Sequence, residues 1–127
     1  MDIAIIDPSE LSRTVIEDLL MKIGVKALDI HLFIDGQHAI EYIRDNDPDI
    51  LFTTVSLPEL DGVDLVDIIL REKPDLVSKL FVLSSSDNEV FDSMKDVGAK
   101  RFIKKPINEE YFEHFVRPEV DRLLGES

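Results

Sequence analysis

The chain has 127 residues, 44% of them hydrophobic, no cysteine and a formal net charge of −13. That length fits one domain able to bury about two thirds of its unfolded surface. The hydrophobic share argues against disorder, the missing thiols exclude disulfides and thiolate zinc sites, and the charge opposes direct nucleic-acid binding.

Met1-Asp2-Ile3-Ala4-Ile5-Ile6 is a continuous apolar run, the pattern of a strand covered on both faces. The chain enters it without a basic-then-apolar leader, which predicts a cytoplasmic protein, and no apolar stretch approaches the ~18 residues of a membrane span. Ser9 is placed to cap a helix carrying Leu11, Val15, Ile16, Leu19, Leu20 and Ile23 along one side, with Gly24 as its stop. Residues 28–34 read as the second strand, interrupted by Asp29 and His31. Asp35-Gly36 turns into a helix bearing Ala39, Ile40 and Ile43, which ends before Asp47-Pro48.

Residues 50–54 form the third strand and residues 63–71 the third helix, with Pro74 beyond its end. Residues 80–83 are the fourth strand. Ser86 or Asp87 caps a helix bearing Val90, Phe91, Met94 and Val97, which Gly98 closes. Phe102-Ile103 is a short fifth strand, and Asn108 caps a last helix with Tyr111, Phe112, Phe115 and Val116 on its buried side. Pro118 falls inside that helix, where a proline removes a hydrogen bond, so the helix kinks or restarts there. Strands alternating with helices call for a doubly wound α/β domain, with a parallel sheet between two layers of helices and the flavodoxin-like strand order 2-1-3-4-5. In such sheets ligands bind beyond the carboxyl ends of the strands. Asp7, Thr54, Ser84 and Lys105 end strands 1, 3, 4 and 5 and are expected to converge.

The segment from Asp49 to Thr54, followed by Leu57-Pro58-Glu59-Leu60-Asp61-Gly62, resembles the phosphorylation site of two-component response regulator receiver domains. The likeness runs from about residue 2 to residue 124. It implies a pair of acids after the first strand, an acceptor aspartate after the third, a serine or threonine after the fourth and Lys-Pro after the fifth. Here those positions read Asp7-Pro8, Thr54, Ser84 and Lys105-Pro106. The first acid, the hydroxyl and the lysine carry over, whereas Pro8 replaces the second acid and Thr54 the acceptor. In receivers those two acids supply carboxylate oxygens to Mg²⁺, so the resemblance implies a pseudo-receiver that has lost both phosphoryl acceptance and Mg²⁺. A carboxylate is a nucleophile at neutral pH, but a threonine hydroxyl needs a base to activate it.

The remaining groups have two readings each. Lys105 is a remnant phosphate clamp or a plain ion pair with Asp7, and Ser84 an anion donor or a local backbone partner. Phe102 stands where receivers place an aromatic that turns inward on activation, and equally reads as a half-buried ring. Lys95, Lys100, Arg101, Lys104 and Lys105 concentrate five of the 14 basic residues within eleven positions, on the side receivers use for partners. They form a solvated rim or a docking face for an acidic partner. His31, His38 and His114 lack metal-ligand spacing, and no glycine-rich nucleotide loop is present.

The expected function is therefore a cytoplasmic receiver-like module with no output domain, acting through protein–protein contact independently of phosphorylation. Its partner would be a histidine kinase, another response regulator or an output protein. Neither a cofactor nor enzymatic activity is expected. The alternative is a regulated phosphoprotein or anion-binding switch using Thr54, Ser56 or Ser84; a flavodoxin-like enzyme is a remote third.

Overall fold

Five apolar runs become five parallel strands in the order β2-β1-β3-β4-β5: β1 (Ile3–Ile6), β2 (Ile30–Phe33), β3 (Ile50–Thr54), β4 (Leu80–Ser84) and β5 (Phe102–Lys104). The computed structural model describes every residue except Glu59, Ser86, Asp87 and Ser127, and only the backbone of Asn88, Glu89, Val90 and Glu126. The connecting helices are α1 (Glu10–Lys22), α2 (Gly36–Asp45), α3 (Gly62–Glu72), α4 (Asn88–Asp96), α5 (Glu109–Phe115) and α6 (Arg117–Glu126). This is the doubly wound arrangement expected from the alternation of strand and helix patterns.

The central strands β1, β3 and β4 are buried along their whole length, because helices cover both faces of the sheet. Ile5, Phe52 and Leu83 turn toward α1, α5 and α6, where Ile16, Leu20, Phe112, Val116 and Val120 meet them. Phe52 stacks between Phe81 and Phe112, with ring centroids 5.3 and 6.4 Å away. Ile6, Leu51 and Val82 turn the other way, against Ile40, Leu65, Val66 and Met94 of α2, α3 and α4. Alternation along each strand thus divides one apolar run between two cores.

The local signals for helix ends act as read. Ser9 accepts from Ser12 N at 3.3 Å, Asp35 from His38 N at 2.8 Å and Asn108 from Glu110 N at 2.7 Å. Gly24 and Gly98 follow α1 and α4 at φ 105° and 111°, which only glycine adopts without strain. The cap expected at Ser86 or Asp87 lies outside the described residues. Pro118 does break the last helix: α5 stops at Phe115, and the proline occupies the first turn of α6, where its missing N–H costs least.

Three expectations need correction. The second strand begins at Ile30, because Ala27–Asp29 form a 3₁₀ turn. Leu11 is 75% exposed; it stands in the first turn of α1, beside an open pocket that it lines with Val15, Ser85, Pro106 and Ile107. Phe115 is 48% exposed, whereas Val116 next to it is fully buried at the break between α5 and α6. Its ring rests instead on Tyr111, with centroids 4.3 Å apart.

The opposite end of the sheet is tied by Asp2. Its backbone N–H bonds Asp49 Oδ2 at 2.9 Å, and its Oδ2 accepts the Tyr42 hydroxyl at 2.7 Å. Burial, and then the carboxylate acceptor, push Tyr42 up to about 12. A tyrosine whose folded pKa exceeds the unfolded value of about 10 lends stability fully present below pH ~10 and lost as pH rises toward 12. Phenolate absorbance should therefore show one tyrosine ionising near the top of the accessible range, and Tyr42→Phe should remove that step and its share of the alkaline loss of stability, leaving the smaller part that burial of Tyr111 contributes.

Gly62 opens α3 against the β3 terminus, its N–H bonded to Val55 O at 3.0 Å. A Cβ there would run into the Val55 carbonyl oxygen and lie 2.6 Å from that of Thr54, both backbone atoms. Gly62→Ala should cost roughly 1–3 kcal/mol in denaturant unfolding.

Candidate functional site

The sheet register brings the four strand ends into one place. Ile6 lies opposite Thr53, so Asp7 follows beside Thr54; Thr54 lies opposite Leu83, and Ser84 opposite Lys104. The Lys105 N–H donates to Ser84 O at 2.9 Å, which fixes the chain leaving β5 against the end of β4. Asp7, Thr54 and Ser84 are 1%, 4% and 3% exposed, an unusual density of polar groups in an apolar interior.

Each buried group must find partners. Asp7 Oδ2 accepts the Lys105 ammonium at 2.6 Å, and Oδ1 accepts Ser9 N–H at 2.9 Å. Lys105 Nζ also lies 3.3 Å from Thr54 Oγ1, so the ammonium sits between the first and third strand ends. Asp7 is held by its backbone as well: its N–H donates to Phe33 O at 2.9 Å, and its carbonyl accepts Arg13 Nη1 at 2.8 Å. Thr53, fully buried beside the site, donates its hydroxyl to Thr54 O at 3.2 Å.

Pro8 and Ser56 are exposed at the mouth. With Val55, Leu57, Pro58 and Asp61 they line an open pocket of about 560 Å³ over the ends of β1 and β3. The Asp61 carboxylate caps α3 through Val63 N at 3.0 Å, so it serves the helix. Among the described residues no group of histidines and acids has the geometry to hold a metal ion.

The basic cluster does not form a single surface. Arg101 is drawn inward: its Nη2 lies 2.8 Å from Glu119 Oε1, and its guanidinium stands 4.9 Å from the Phe81 ring centre. Lys100 and Lys104 are exposed, and Lys95 reaches over the Phe102 ring at 5.7 Å. Lys104 points away from the site that Lys105 enters, as alternation requires. Phe102 is half-buried, its ring 4.9 Å from Phe91 and its carbonyl accepting the Tyr111 hydroxyl at 2.6 Å. Sequence reasoning missed Arg13 and Ser9 as partners of Asp7. The spacing held a clue, since a base one turn into a helix can reach back to the strand that feeds it.

A parallel five-stranded sheet with an acid, two hydroxyls and a lysine gathered at its carboxyl ends defines a receiver-type signalling domain. The chain belongs to the response regulator receiver domain family, whose profile matches residues 3–117. It is 32% identical over 112 residues to protein PilG of Pseudomonas aeruginosa, spanning 87% of this chain and 80% of PilG. To chemotaxis protein CheY of Thermotoga maritima it is 28% identical over 106 residues, spanning 82% of this chain and 84% of CheY. The protein-glutamate methylesterase/protein-glutamine glutaminase of Archaeoglobus fulgidus is 29% identical over 107 residues, but the match spans 30% of that longer protein. The receiver domain of NtrX from Brucella abortus superposes with a TM-score of 0.81 at 24% identity, covering 94% of this chain and 98% of that one. A two-component response regulator from Clostridium difficile gives 0.82 at 21% identity, covering 97% and 98%. At these identities the solved structures show the shared fold.

Removing the ammonium would leave Asp7 buried without a counter-charge, a loss of about 3 kcal/mol or more. Lys105→Met should lower unfolding free energy by that order, and Asp7→Asn in the same chain should recover most of it. A double-mutant cycle with no coupling between the two positions would contradict the pairing.

Proposed function

We propose that this receiver acts in two-component signalling by binding other proteins without itself being phosphorylated. The observation that carries the proposal is the Lys105 ammonium, held between Asp7 and the hydroxyl of Thr54. Phosphoryl transfer to a receiver needs an ionised nucleophile and a cation to neutralise the transferred group. Thr54 offers a neutral hydroxyl, and the carboxylate beside it that could act as a base is already engaged by Lys105 and Ser9 N–H.

The donor set does not fit Mg²⁺. That ion asks for hard oxygen ligands in near-octahedral array. Pro8 supplies no side-chain oxygen, Thr54 carries no charge, and the Asp7 oxygens are spent on an ammonium and an amide.

Output then comes from a partner: a histidine kinase, another response regulator or an output protein. The face best suited to meet it lies along β5, where Lys95, Lys100 and Lys104 surround the half-buried Phe102 in an otherwise acidic protein. A cationic rim around an aromatic centre favours an acidic partner surface. Arg101 contributes little charge there, being paired with Glu119.

A second reading, regulation by a serine/threonine kinase, is favoured at one position only. Ser56 is exposed at the pocket mouth, whereas Thr54 and Ser84 are buried.

Incubation with acetyl phosphate and Mg²⁺ should leave the intact mass unchanged, and millimolar Mg²⁺ should move the melting temperature no more than matched sodium chloride does. A hydroxylamine-labile adduct, or a saturable upward shift specific to Mg²⁺, would overturn the proposal.

A further inference from the structure

The two edges of the sheet are finished differently. At β5 the Tyr111 hydroxyl caps the Phe102 carbonyl at 2.6 Å, and the exposed Lys104 stands in the strand itself. Lysines and capped carbonyls are ordinary defences of an edge against unwanted pairing. At β2 neither defence is present among the described residues.

The Asp7 N–H donates to Phe33 O, so Phe33 turns its backbone groups toward β1. By alternation in a parallel pair, Leu32 turns its own outward, away from the sheet, and Ile34 follows at the bend just past the strand end. The side chains at the same positions are large, apolar and open to water: Leu32 is 45% exposed and Ile34 58%, with Leu28 at 79% just before the strand. The strand and Ile34 after it carry no carboxylate or lysine, and the His31 Nε2 lies 3.3 Å from Asp2 Oδ1. An edge with free backbone groups and exposed apolar side chains is a template for one more strand.

We propose that the β2 edge takes up an extended segment of a partner protein as a sixth strand, one with apolar side chains at alternate positions and lysines or arginines at its ends. The charge requirement comes from Asp29 and Asp35, which bracket the strand, and from a net charge of −13 that Lys26 offsets only locally. Hydrogen bonds from the His38 backbone and ring hold Asp35 below the usual carboxylate range, so that end of the bracket stays charged. The same charges weigh against a second copy of this chain as occupant, since two bodies at −13 would bring the same acid-bracketed edge together. This edge is separate from the lysine-rimmed face at β5, and the inference stands whether or not the protein is phosphorylated.

The test is nuclear magnetic resonance on the full chain, titrated with the synthetic peptide Lys-Lys-Val-Thr-Val-Thr-Val-Lys-Lys. The comparison peptide has glutamates in place of the lysines. With the basic peptide, the amides of Leu32 and Ile34 should shift and gain protection from hydrogen exchange. Leu32→Lys or Ile34→Lys should weaken binding by about tenfold or more while leaving the melting temperature near wild type, because both side chains are exposed. Three outcomes would overturn the proposal: no perturbation at β2, equal binding of the acidic peptide, or perturbation confined to β5. Sedimentation of the free chain should show a monomer; a concentration-dependent dimer abolished by Leu32→Lys would assign the edge to self-association instead.

Discussion

The contact between Lys105 and Asp7 is the constraint around which the carboxyl end of the sheet is arranged. Asp7 is almost wholly buried, and an ionised acid in that position is costly unless paired and hydrogen-bonded. The ammonium that pairs it comes from 98 residues further along the chain, so the first and last strands must both be in place before the pair can form. The Lys105 N–H on Ser84 O and the Ser9 N–H on the carboxylate complete the satisfaction of the site. The segments leaving β1, β4 and β5 are therefore tied by one charge pair, one backbone bond and one backbone-to-carboxylate bond.

Most of the architecture was legible because it follows from periodicity. The runs at residues 3–6, 50–52 and 80–83 are apolar without interruption, the pattern of a strand covered on both faces, and the caps at Ser9, Asp35 and Asn108 use short polar side chains in their usual role. Pro118 announced the break between α5 and α6 because a proline cannot donate into the helix it interrupts. What failed was detail set by helix ends. Leu11 and Phe115 fit an apolar stripe, yet one stands in the first turn of its helix and the other at a helix break, and both are exposed there.

The convergence of Asp7, Thr54, Ser84 and Lys105 could be read because parallel strands deliver their last residues to one end of the sheet. The inward turn of Arg101 could not. A run of basic residues gives no sign that one of them has a carboxylate waiting 18 positions later on a restarted helix, where Glu119 stands in the first turn of α6. The tie between Asp2 and Tyr42 was hidden for the same reason, since 40 residues and a change of layer separate the partners. Long-range polar pairs leave no periodic trace, whereas apolar faces do.

On the proposed reading, Thr54 in place of an acceptor carboxylate, beside this charge pair, explains why the protein need not switch. A receiver changes state because a phosphoryl group interacts unequally with two conformations, and a ligand shifts an equilibrium only by that difference. Here a positive charge already stands between the first and third strand ends, supplied by the chain and permanently attached. A protonated lysine 2.6 Å from a buried carboxylate favours the conformation that keeps it there. The loop leaving β5 carries Lys105 and the strand before it carries Phe102, so what holds the lysine also holds the aromatic and the lysine-rimmed face beside it. A surface fixed in this way offers its partner one shape, and specificity then rests on the charges and edges that shape exposes.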